Sequence, residues 1–283
     1  MHSRELGLVL ARQLLGVEDL HFGLWTGDLE LKPANLAAAQ QRYTDLVVSA
    51  LPPSQPGPVR VLDIGCGTGH LLAQLLDRGY RVDGVIPSRS LARVVRERLL
   101  ARPGADTRLF ECKFEDFPVA EMAGRYDVAL FSESFQYMPM DASLPIAYAL
   151  LKPGGVMVIC DFFKTEHHGD GGIGDRSFGG GHRLTDFYAR MRDSPFRLLR
   201  DEDITRRVSP NLDLINDVLL HKVKPVGETL GRYLGDNYPL TSWILRRLLA
   251  RKLEKANYKY FSGHRNKETF ERYKSYRLMV YAR

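Results

Sequence analysis

The stretch Val59 to His70, Val-Arg-Val-Leu-Asp-Ile-Gly-Cys-Gly-Thr-Gly-His, constrains the fold more than any other part of the chain. Its apolar residues Val59, Val61, Leu62 and Ile64 read as a strand buried on both faces, as a parallel sheet requires. The pattern breaks at Gly65, Gly67 and Gly69, and Leu71, Leu72, Leu75 and Leu76 resume at helical spacing. Strand, tight turn, helix is the result. Glycine lets the backbone turn with positive φ and leaves no Cβ between main chain and ligand. The helix that follows aims free N–H groups into the same space. Asp63 adds a carboxylate there, able to hold a cationic group. A larger residue at Gly65 or Gly67 is expected to put a side chain into that ligand space.

A dinucleotide-binding turn would want its third glycine where His70 stands. The phrase instead closely resembles the first motif of the class I S-adenosylmethionine (SAM) dependent methyltransferases, V-L-D-x-G-C-G-x-G. Leu151-Lys152-Pro153-Gly154-Gly155 resembles the L-K-P-G-G turn of the same family. The two motifs stand in the family's order, and the resemblance covers roughly residues 55 to 165. It implies SAM as cofactor, held by Asp63, Gly65, Cys66, Gly67 and Gly69.

The spacing between the motifs agrees. Strands are expected at Arg81–Ile86, Thr107–Cys112, Tyr126–Phe131 and Val156–Phe162, with a helix at Leu91–Leu100. A further helix at Leu184–Arg192 precedes a strand around Phe196–Arg200. The expected fold is α/β: a Rossmann-like, doubly wound, seven-stranded sheet whose last strand, Tyr276–Ala282, is antiparallel. Residues 1–58 form a helical N-terminal lid and linker, with Leu6, Val9, Leu10, Leu14 and Val17 on one helical stripe. Residues 59–204 form the SAM-binding core, 205–273 a basic helical insertion, and 274–283 the final strand. In the insertion Leu212, Ile215, Val218, Ile244, Leu245, Leu248, Leu249 and Leu253 are spaced like core residues.

Ligands of open α/β sheets lie at the carboxyl ends of the strands, where strand order reverses. The family's second strand usually ends in an acid for the ribose. Here Ile86 stands there, and Asp83 falls inside the strand. That resembles the sterol-, tocopherol- and cyclopropane-forming subset and implies ribose contacts from Ser88 and Arg89, with an N-cap as the alternative for Ser88. After the third strand Lys113 occupies the place of the adenine-binding acid. Lysine has no acceptor, so Glu115 or a backbone carbonyl must serve the adenine amine, and Phe114 can cover the ring. Phe131 ends the fourth strand, and Glu133 follows as substrate ligand, base or counter-charge to the sulfonium, or as a helix cap. Gln136 and Tyr137 are expected to touch substrate. Phe22, Trp25 and Tyr43 resemble the H-x-G-x-W element that closes over SAM, where aromatic faces suit a sulfonium. Tyr43 is also placed among the substrate contacts.

Gly169–Gly181 holds seven glycines in thirteen residues. His167, His168, Asp170 and His182 lie around it, but nothing fixes a ligand geometry, and no metal is expected. A loop carrying His182 as general base is the preferred reading.

Composition narrows the partners. From Trp243 to Arg283 twelve Lys or Arg face three Glu, a net +9, which leaves −3 on the rest of a chain of formal charge +6. These bases alternate with leucines and no separate RNA-binding module is visible, so nucleic acid is not the expected partner. They make a solvated helix face or attract an anionic substrate. No run of about eighteen apolar residues is present, so no membrane partner is expected. A cytoplasmic location is the expectation, because the N-terminal residues show no signal pattern and the cysteines lack paired spacing. The expected activity is SAM-dependent methyl transfer to a small molecule. Its rivals are use of SAM without methyl transfer, by cyclisation or aminocarboxypropyl transfer, and RNA methylation. Oligomeric state is left open.

Overall fold

The computed structural model describes residues 21–54 and 57–283. The helix expected around Leu6 to Val17 lies outside them.

Seven strands form one sheet in the order β3-β2-β1-β4-β5-β7-β6. An irregular strap of residues 21–35 leads into α1 (Leu36–Ser49), which precedes β1 (Arg60–Ile64). Helix α2 (His70–Asp77) connects to β2 (Arg81–Val85), and α3 (Arg89–Leu100) to the two-residue β3 (Leu109–Phe110). Then come β4 (Tyr126–Ser132), α4 (Met140–Leu150), β5 (Leu151–Lys164), α5 (Leu184–Arg192) and β6 (Arg197–Asp203). The insertion follows as α6 (Pro210–Val218), α7 (Lys224–Asn237), α8 (Pro239–Ala256) and α9 (Lys267–Tyr273), and β7 (Lys274–Ala282) closes the sheet.

Strands β1 to β5 pair in parallel, and β7 runs antiparallel to both β5 and β6. The order reverses between β1 and β4, where Asp63 pairs with Leu130. Period-two alternation splits the core across the two faces. Val61, Val82, Val128, Val158 and Leu278 lie on one side, and Leu62, Ile64, Ala129, Ile159 and Met279 on the other. Layers of helix cover both, which is what makes the strands apolar throughout.

Asp83 sits inside β2, fully buried. It is neutralised there by Arg60 at 3.0 Å and accepts a hydrogen bond from the Tyr126 hydroxyl at 2.9 Å. The Lys-Pro-Gly-Gly turn does not precede the fifth strand but is absorbed into it. The β4–β5 register jumps from Tyr126↔Leu151 to Val128↔Val156, and Lys152 ties the bulge down by pairing with Asp127 at 2.7 Å.

The insertion departs from expectation in one respect. Leu212 and Val218 of α6 are buried, but Ile244, Leu245, Leu248, Leu249 and Leu253 of α8 are exposed. Periodicity reports that a helix has apolar faces and is silent on what covers them.

Candidate functional site

The glycine turn closes on the end of β2. The N–H groups of Gly65 and Cys66 both donate to the Val85 carbonyl, at 2.8 and 3.1 Å. Gly69 adopts the left-handed conformation at the start of α2, and no side chain caps that helix. The glycines divide the labour. At Gly67 (φ +57°) a Cβ would meet nothing within 4 Å, whereas at Gly65 (φ +81°) it would fall 2.5 Å from the Cβ of Ser134. Gly65 therefore permits close packing of the turn on the segment after β4, correcting the expectation that its substitution would block ligand space. Gly67 alone of the two faces open space. Asp63, 2% exposed, is the last residue but one of β1.

Ser134 thus brings the end of β4 against the turn, and Glu133 precedes it. Among the described residues Glu133 is the one non-glycine with positive φ, +51°. Such a placement costs on the order of 1–3 kcal/mol and persists only where the surroundings enforce it. They do so here. The Glu133 N–H donates to the Cys160 carbonyl at 2.9 Å. Its Oε1 accepts from the Phe22 N–H at 2.8 Å and from the Tyr276 hydroxyl at 2.7 Å. The Tyr43 hydroxyl lies 3.0 Å from that of Tyr276 and donates to the Cys160 carbonyl at 3.3 Å. Burial, reinforced by the nearby Glu133, raises both phenols well above their ordinary pKa. They remain protonated donors. The carboxylate is thereby clamped between the N-terminal strap, α1 and β7.

The strap is held in place by the insertion. Gly23 N–H donates to Asn211 Oδ1 of α6 at 2.9 Å, and Trp25 N–H to the Arg207 carbonyl at 2.7 Å. Phe22 packs edge-on against Tyr276, centroids 5.7 Å apart. Trp25 lies with Leu36, Ala39 and Leu214, which joins strap, α1 and α6.

The remaining residues singled out in the sequence scatter more widely. Ser88 caps α3, accepting from the Leu91 N–H at 3.4 Å, and Arg89 is exposed on its first turn. Lys113 is exposed and Glu115 half-buried. Phe114 and Phe131 are buried core residues in edge contact at 5.6 Å. Tyr137 is exposed, whereas Gln136 is half-buried and bonded to Asp161. His182 is seated against Phe135, its Nε2 3.2 Å from the Phe135 carbonyl. In the glycine loop Asp170 is taken up by Arg272 and Tyr273, and His168 faces Asp175. No group of three or more potential ligands among the described residues could hold a metal.

Tyr276 and Asp161 escaped the sequence reading. Tyr276 looks like any strand aromatic. Asp161 carries a signal, being the one acid in the apolar run Val156–Phe163. It accepts from the N–H groups of Gln136 and Phe162 at 3.0 and 2.8 Å. Burial nonetheless pushes its carboxyl up to about 7. A folded pKa above the unfolded value adds stability that is complete below about pH 4 and lost as pH rises to about 7. Asp161→Asn should abolish this component. The unfolding free energy of the parent from urea titration, relative to Asp161→Asn, should fall across that window by an amount approaching about 1.4 kcal/mol per pH unit. A constant difference would show that Asp161 titrates normally. Lys274, lowered to about 7 by burial, acts above this window.

The chain is also similar to known proteins. The chain is 31% identical over 114 residues to a sterol 4-C-methyltransferase of Caenorhabditis elegans, covering 39% of this chain and 33% of that protein. It is 35% identical over 107 residues to a ubiquinone biosynthesis O-methyltransferase of Aromatoleum aromaticum, 38% of this chain and 43% of that one. It therefore spans less than half the length of each of these two relatives. Among solved structures, geranyl diphosphate C-methyltransferase from Streptomyces coelicolor, crystallised with S-adenosyl-L-homocysteine, superposes with TM-score 0.68 at 17% identity over 97% of this chain and 91% of that one. The cyclase SpnF superposes with TM-score 0.70 at 18% identity over 99% and 94%. These likenesses establish the fold. Residues 36–200, more than half of the chain, match the family described as a methyltransferase domain, and the chain belongs to that family.

Proposed function

We propose that the protein is a SAM-dependent methyltransferase acting on a small molecule at the crevice between the glycine turn and the end of β4. The observation that carries this reading is the juxtaposition of an open left-handed Gly67 with a clamped, left-handed Glu133 at the β1/β4 reversal. The residues fit SAM: Gly67 leaves room for it, α2 begins uncapped, and Asp63 offers a carboxylate. When bound, SAM supplies a methyl group on a positive sulfur, open to in-line displacement. The protein's part is to align an acceptor about 3 Å from that methyl and to keep water out. Glu133 faces the crevice as counter-charge and acceptor ligand. The strap, drawn down by the Phe22 N–H, closes over it. His182, on the glycine-rich loop, takes the acceptor's proton where one must leave. Gln136 and Tyr137 line the acceptor side. The relatives named above for a sterol, ubiquinone and geranyl diphosphate support a small acceptor.

A second reading, use of SAM without methyl transfer, draws on the likeness to a cyclase structure. One experiment separates the two. The protein is incubated with SAM and cell extract, and adenosine-containing products are resolved by mass. S-adenosylhomocysteine is the expected product, and methylthioadenosine in its place would overturn methyl transfer.

A further inference from the structure

We propose that the helical hairpin α7–α8 docks the protein onto an anionic lipid bilayer surface. Every described side chain of α8 is exposed or only half-buried, and α7 likewise contributes nothing to the core. Yet the hairpin is rich in apolar residues. On α7, Val226, Leu230, Tyr233 and Leu234 recur at helical spacing as one stripe, 39–68% exposed. On α8, Leu240, Ile244 and Leu248 form one row and Leu245, Leu249 and Leu253 another, on separate sides of the helix. A helix apolar on several sides belongs in a core or at a membrane. This one is in no core of the chain, and Leu240 and Leu248 are 71% and 74% exposed.

Charge selects the occupant. Pro239–Ala256 carries five Lys or Arg against one Glu. Two copies packed hairpin to hairpin would oppose like charges. A nucleic acid would pair with the bases and leave the leucines and Trp243 in water. A bilayer bearing anionic headgroups satisfies both at once: leucines enter the acyl boundary, while Arg and Lys stems extend to the headgroups. Trp243, with the Arg247 guanidinium 5.8 Å over its ring, suits that boundary. No helix among the described residues is long and apolar enough to cross a membrane, so the contact is peripheral. The expectation of no membrane partner rested on the lack of a spanning segment and does not reach this case. The segment that follows α8 touches the glycine-rich loop, where Arg265 donates to the Ser177 carbonyl at 3.1 Å and Arg176 lies over Tyr258. A docked hairpin would hold that loop from outside.

The test is co-sedimentation of the full chain with vesicles of equal parts phosphatidylglycerol and phosphatidylcholine, and with phosphatidylcholine alone. Binding is expected to the first, weakening as salt is raised. Leu248→Gln combined with Leu249→Gln, and separately Arg247→Glu combined with Arg251→Glu, should each weaken it at least about tenfold. All four positions are exposed, so both variants should melt with the parent. Failure of the folded parent to bind anionic vesicles would overturn the proposal. So would binding that either variant retains. Self-association lost in the leucine variant, without vesicle binding, would assign the face to a second copy, and an RNA shift that needs the arginines alone would assign it to nucleic acid.

Discussion

Glu133→Gln should lower turnover at least about tenfold, the low end of what a positioned ionisable group contributes, with no loss of fold. Glutamine keeps the oxygen that accepts from the Phe22 N–H and the Tyr276 hydroxyl. Only the charge is removed, so a fall in rate with an unchanged melting midpoint isolates it. Affinity for the cationic SAM should weaken as well. The strained backbone gives an independent check. At φ +51° an alanine bears the left-handed cost and glycine does not. Glu133→Gly should therefore be about 1 kcal/mol more stable than Glu133→Ala, the reverse of their usual order. Both should be inactive, because two buried donors then face no carboxylate. Parent-rate turnover in Glu133→Gln would remove Glu133 from the site. Alanine proving more stable than glycine would remove the strain.

The second large effect is structural. Gly65→Ala forces a Cβ to within 2.5 Å of the Ser134 Cβ, at a residue held at φ +81°. The contacting atom is the root of a side chain whose hydroxyl is already committed to the Ile64 carbonyl, so it cannot swing away. Left-handed strain and overpacking together should cost about 3 kcal/mol, a large share of the stability of an ordinary domain. Urea unfolding of Gly65→Ala and Ser134→Gly, singly and together, checks the cause. The Ser134→Gly change should rescue the overpacking part. Additive losses would mean that the two residues do not meet.

The strands were legible because a parallel sheet buried on both faces leaves continuous apolar runs, and most boundaries fall within a few residues of expectation. β3 is the exception. It pairs only through Leu109 and Phe110 at the sheet edge, and edge pairing leaves little mark in sequence. Glu133 was legible from one rule, that ligands gather at strand ends where order reverses. What holds it was not. The clamp joins Phe22, Tyr43 and Tyr276, and no local pattern links positions so far apart in the chain. Helical periodicity found the leucines of α8 and misjudged their burial, since spacing cannot distinguish a core from a surface awaiting a partner. Ser88 as the cap of α3 and Arg89 exposed beside it leave the expected ribose contacts without a defined geometry.

Calorimetric titration tests most directly whether the open space over Gly67 holds SAM. SAM titrated into the parent should bind at a single site. Gly67→Val places a branched side chain in space where the parent has no atom within 4 Å. Its affinity should fall at least about tenfold, or 1.4 kcal/mol, while the protein stays folded. Equal SAM affinity in parent and Gly67→Val, or a folded parent that binds no SAM, would contradict the account.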